Sequence, residues 1–214
     1  MWRFIVAAPL RAVAAPQQAL YNPGMLPTPT VELVTQKCSE FDLKPYNQLG
    51  DNALRELFEQ FPENTVASHV LLKVLVLNRL YSTRVRDIDV EPFARHIAGL
   101  GIDAFLSKGS LSAVPKIFLC PGLKRKYYSF ATKFCSWHNP GAYPIYDSYA
   151  DECLWAYRKQ DHFAVFKRQD VWYYEKFVSV VTAFREQYGL NSLTFRQIDK
   201  FLWLTGGQIL GVME

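Results

Sequence analysis

Long apolar runs are missing from this sequence: nothing approaches the roughly 20 consecutive residues that a bilayer crossing requires, so no membrane span is expected. Cysteine is scarce, and no two of Cys38, Cys120, Cys135 and Cys153 lie within five residues of each other. That spacing excludes the paired thiolates of zinc and iron–sulfur sites and favours buried free thiols in a reducing compartment. His69, His96 and His162 are scattered and suggest no metal site. Phosphate-binding loops, dinucleotide fingerprints and serine-hydrolase elbows are absent, and so is any cofactor motif. Strand-like alternation, internal repeats and low-complexity tracts are missing too.

Acidic residues are absent from two stretches. The first, Met1 to Val31, also carries Arg3, Arg11 and five prolines. An extended arm, a targeting presequence, or a true start at Met25 would each account for it, and no function is assigned there. The second, Ala104 to Tyr146, holds Lys108, Lys116, Lys124, Arg125, Lys126 and Lys133, with His138 inside it. The chain has 24 Lys and Arg against 20 Asp and Glu, so without those six cations the remainder is net negative. A cationic stretch of this kind attracts polyanions through counterion release.

What is present in quantity is helical periodicity. Half of the 214 residues are apolar and 21% are charged, enough to bury the core of a single domain. Leu54, Leu57, Phe58 and Phe61 form one stripe of a helix over 52–61. A helix over 66–80, capped by Asn64 or Thr65, is apolar nearly all round and should be central. Further helices are expected over 91–100, 103–107, 112–120, 125–137, 148–157, 171–188 and from about 194 to a stop at Gly206-Gly207. The expected fold is therefore all-α, one domain over 32–214, with eight or nine helices.

The segment Cys120-Pro121-Gly122-Leu123-Lys124-Arg125-Lys126 joins two of these helices in a compact hairpin near 110–138. Amides at such a turn, with the positive end of the next helix dipole, suit a phosphate oxygen. Gly122, Lys124 and Arg125 are the candidate phosphate contacts, with Lys133 and His138 further along. Aromatic residues such as Tyr127, Phe130 and Trp137, at helical spacing, read mainly as core.

This hairpin resembles that of the helix-hairpin-helix DNA glycosylases, in particular the 8-oxoguanine glycosylase branch. There a Leu-Pro-Gly-Val-Gly-x-Lys turn ends in the lysine nucleophile. A Pro-Val-Asp then supplies a catalytic aspartate at the next helix start. The resemblance places Lys126 at the nucleophile position and Asp147, in Pro144-Ile145-Tyr146-Asp147, at the aspartate position. Asn78 and Arg79, followed by Ser82-Thr83, are similar to the helix end that faces distorted DNA. Lys124 stands where the family has a second glycine, and the Pro-Ile-Tyr-Asp element is one residue longer. The phrase from Tyr128 to Tyr149 also looks like a signature of bacterial proteins assigned this fold. The resemblance implies a DNA partner with a damaged or distorted site, and base-excision glycosylase and lyase activity on damaged bases such as oxidised purines. It implies no cofactor or metal, and a cytoplasmic, nucleoid-associated location. A non-catalytic DNA-binding relative and a helical interaction domain of a bacterial defence system are the alternatives.

Overall fold

The structure, a computed structural model, describes residues 25–212. Most of the segment read as an arm or presequence lies outside the described residues. Within them the chain forms ten α-helices and no strand. They are α1 (Val31–Asp42), α2 (Pro45–Gln60), α3 (Ala67–Tyr81), α4 (Asp87–Gly99), α5 (Asp103–Ser107), α6 (Ala113–Phe118), α7 (Tyr128–His138), α8 (Ser148–Asp161), α9 (Tyr174–Gln187) and α10 (Phe195–Ile209). A 3-10 turn, Arg168–Trp172, precedes α9. Among the described residues no helix is long and apolar enough to cross a membrane.

The local causes are conventional. Thr30 caps α1 by accepting from the Leu33 amide, Pro45 opens α2, and Thr194 with Gln197 forms a reciprocal capping box on α10. Helix α3 is central as its composition implies: Val70, Val74 and Leu77 are fully buried, and α2, α4 and α7 pack around it. Its cap differs from expectation. Val66 stands at the N-cap, while Asn64 is buried and bonds Asp103 and Lys73.

Helix α1 has no counterpart among the expected helices, α4 starts at Asp87 instead of 91 and α8 runs to Asp161 instead of 157, and three further boundaries differ for physical reasons. Helix α2 begins at Pro45, seven residues before the expected start at 52, because proline suits the first helical turn. The Gly206-Gly207 pair lies inside α10 and does not end it. A Cβ at Gly206 would sit 2.1 Å from the Tyr149 carbonyl oxygen, so the glycine serves the close approach of α10 to α8. Helix α7 starts at Tyr128, not 125. Three cations at 124–126 would oppose the positive end of its dipole, and Pro121 disfavours helix at the residue before it. The α6–α7 connection is accordingly a loop over 119–127, longer than a tight bend. Gly122 takes the left-handed conformation there (φ +82°); Lys124 does not.

Helices α2, α3, α7 and α10 converge with the start of α8 around one cavity of about 490 Å³, the size of a small-ligand site.

Candidate active site

The cavity is organised by α7. Ser129 and Lys133 are one turn apart on its inner face, among the buried Phe130, Ala131, Phe134 and Cys135. The Lys133 side chain is only 2% exposed. Its Nζ donates to Ser129 Oγ at 2.8 Å and Asp147 Oδ2 at 3.2 Å, and lies 5.4 Å from the centre of the Tyr81 ring. Those three directions account for the ammonium's three protons.

Asp147 is the N-cap of α8. Its Oδ1 accepts from the Tyr149 amide (3.1 Å) and the Ala150 amide (3.0 Å), leaving Oδ2 for Lys133. The plain capping role and the role beside a lysine are thus divided between two oxygens of one carboxylate. The separation is set by α7 itself. Thr132 Oγ1 accepts from the Tyr146 amide at 3.1 Å, tying down the residue before Asp147.

A ladder of charge continues across the cavity from α10. Arg196 donates to Asp199 Oδ2 (3.1 Å) and Asp51 Oδ1 (2.8 Å), and Lys200 reaches Asp51 Oδ2 at 3.6 Å. Burial works against the charge on Arg196, but Tyr81, Asp199 and Asp51 outweigh it and raise the pKa above its ordinary value. Burial pushes the Asp199 carboxyl up to about 7; Arg196 and Lys133 oppose that shift, while Asp147 and Asp51 add to it. Tyr81 rises to about 12, chiefly through burial. Phe41, Tyr46, Tyr81, Tyr149 and Trp203 provide aromatic walls.

Placement of the residues singled out from sequence is mixed. Asp147 and Lys133 come together; Lys126 does not join them. Lys126 is exposed in the 119–127 loop and lines no part of the cavity. The amine that meets Asp147 is Lys133, expected to touch phosphate but turned inward by its place in mid-helix. Lys124 and Arg125 are exposed beside Gly122, and the amides of Lys124, Arg125 and Lys126 find no acceptor among the described residues.

Asn78 is not a free polar tip. Its amide accepts from Thr83 and Val85 and donates to the Val85 carbonyl, all at 2.9 Å. It thereby holds a loop in which Ser82 (φ +50°) and Arg84 (φ +60°) are left-handed, and that loop rims the cavity. Arg79 is exposed and lines neither the main cavity nor the one behind it. His138 packs between Phe58 and Phe134, with Nε2 against Asn64 and buried Lys73. Burial, aided by the Lys73 charge, lowers its pKa to about 3, so it offers a phosphate no charge.

Asp51, Tyr81, Arg196 and Asp199 were missed from sequence. Arg196 and Asp199 are three apart on the face of α10 that also carries buried Leu202, which is the one local sign that they point inward. No group of three or more metal-ligating side chains occurs among the described residues.

Comparison with known proteins places the chain in a lineage. The HI_0787_N family model, described as an N-terminal domain, matches residues 33–142. The chain belongs to that family. An uncharacterized protein of Haemophilus influenzae is 35% identical over 150 residues, covering 69% of this chain and 71% of its own. No solved structure matches the chain. The matched region spans α1 to α7 and ends before Asp147, so the HI_0787_N region contributes Asp51, Tyr81 and Lys133 while Asp147, Arg196 and Asp199 come from the chain beyond it.

Proposed function

We propose that this protein binds duplex DNA at a damaged or distorted site and excises a base, with Lys133 as nucleophile and Asp147 as its partner. The observation that carries the reading is the buried Lys133–Asp147 pair at 3.2 Å in a cavity walled by aromatic rings. A flipped nucleotide needs such a pocket: aromatic faces to stack the base, and an amine to meet the sugar. The exposed amides and cations of the 119–127 loop lead directly into α7, which carries Ser129, and a backbone phosphate bound there would anchor the strand next to the cavity. The fold is read as that of the helix-hairpin-helix glycosylases, with the nucleophile moved from the loop at Lys126 to Lys133 within α7.

The chemistry follows from the pair. Lys133 passes one ammonium proton to Asp147 Oδ2 and its lone pair forms a bond to C1′, while the C1′–base bond breaks with its electrons going to the base. The nitrogen now bonded to C1′ gives up one of its protons, O4′ takes it as the C1′–O4′ bond breaks, and an iminium remains between Lys133 and the sugar.

Borohydride trapping on duplex DNA containing an abasic site tests the proposal. A covalent adduct is expected with the wild-type chain and with Lys126→Ala, and none with Lys133→Ala. Absence of a wild-type adduct, or its survival in Lys133→Ala, overturns the reading.

A further inference from the structure

Four carboxyl groups line the cavity, and Asp51 and Asp151 are each ion-paired with an arginine, while Asp147 and Asp199 stand in contrasting surroundings. Asp147 is saturated as an acceptor, with two amides on one oxygen and Lys133 on the other. Asp199 projects from α10, its side chain 11% exposed, with Arg196 on Oδ2 and no hydrogen-bond partner for Oδ1 among the described residues. That oxygen is not sealed away unsatisfied, and its residue lines the cavity. One carboxyl fully engaged by donors and another with an oxygen open to the same cavity can serve different roles in one site.

Resting on the excision reading above, we infer that Asp199 is the acid that protonates the departing base. As the C1′–base bond breaks, its electron pair moves onto the base and the Asp199 proton joins it there, so the base leaves neutral and Asp199 remains as carboxylate beside Arg196. Lys133, held by Ser129 and Asp147, forms the new bond to C1′. The titratable and charged groups around Asp199 are Arg196 on its own helix, Cys38 from α1, Asp51 from α2, Tyr81 from α3, Lys133 from α7 and Asp147 at the start of α8. Burial dominates their sum and leaves the carboxyl titrating at about 7, so a proton is available at neutral pH.

The role separates base release from sugar capture, because an abasic site has no base left to protonate. The experiment measures both with the full chain. Trapping uses abasic duplex, and release uses duplexes carrying 8-oxoguanine, hypoxanthine, uracil or thymine glycol under single turnover from pH 5.5 to 8.5. Asp199→Asn is expected to trap abasic DNA within about 3-fold of wild type and to release base at least about 100-fold more slowly at pH 7. Wild-type release should fall as pH rises through about 7, a limb absent from Asp199→Asn and restored in Asp199→Glu. Release by Asp199→Asn at the wild-type rate, or persistence of the limb, overturns the assignment. A wild-type chain that traps abasic DNA yet releases none of the four bases overturns it while sparing Lys133. A wild-type chain that traps nothing overturns the excision reading and this role with it.

Discussion

Lys126 and Lys133 lie seven residues apart in sequence and in opposite environments. Lys126 belongs to an exposed loop where three consecutive cations and unpaired amides face solvent. Lys133 is sunk into the most buried stretch of α7 with a hydroxyl, a carboxylate and an aromatic ring for company. A solvated lysine is a mobile point charge suited to a phosphate, whereas a held one has a defined direction and a defined proton acceptor. The comparison teaches that charge density along a sequence locates a binding surface, while reactivity is located by what a single amine is packed against.

Separating the two lysines is the strongest way to break this comparison. Lys133→Met is expected to reduce borohydride-trapped adduct on abasic DNA by about 1,000-fold, with Lys126→Met within about 3-fold of wild type. Gel quantification of the adduct decides it, and the reverse ranking would assign the chemistry to the loop.

The next effect concerns the frame. Gly206→Ala drives a Cβ into the Tyr149 carbonyl and should cost about 3 kcal/mol or more in thermal or urea unfolding. A smaller loss would mean that the α8–α10 approach, and hence the cavity wall bearing Asp147, is loosely held.

Asp199 gives a pH-dependent test. Its folded-state pKa, raised to about 7, lies above the ordinary carboxylate value, so the folded chain keeps a proton that the unfolded chain releases between roughly pH 4 and 7. Wild-type stability therefore declines as pH rises through that window. Asp199→Asn should remove the decline and be more stable than wild type by about 4 kcal/mol at pH 8, with little gain at pH 4. Urea melts at the two pH values check the sign.

Changing Lys124, Arg125 and Lys126 together to alanine should lower the slope of log affinity against log salt by about 3. Duplex binding between 50 and 200 mM salt measures it, and an unchanged slope would remove the loop from the interface. Gly122→Ala is the mildest: its surroundings are open, so only the left-handed backbone resists, at about 1 kcal/mol in a thermal melt.

Much of the fold was legible before any coordinates. The apolar stripe of α2, the all-round apolar α3 and the Asp147 cap were visible as periodicity and cap chemistry. Boundaries failed where tertiary contact overrode a local signal, as at Gly206, whose missing side chain reads as a stop in sequence and as close packing in space. In the site, Asp147 was legible because a cap is a local device. Lys133 was noticed for its charge and given the wrong surroundings, since sequence shows sign but not burial. Asp51, Tyr81, Arg196 and Asp199 were invisible, being far apart in the chain and joined by no motif.

The order of residues by itself determined that this chain is helical, where most helices lie, and that one acid-free stretch carries its positive excess. Only the tertiary structure decided which lysine meets Asp147 and that α10 brings Arg196 and Asp199 to the same cavity. Helix formation and net charge arise from neighbours a few residues away, whereas burial and the pairing of an amine with a carboxylate depend on elements that the chain brings together from a distance.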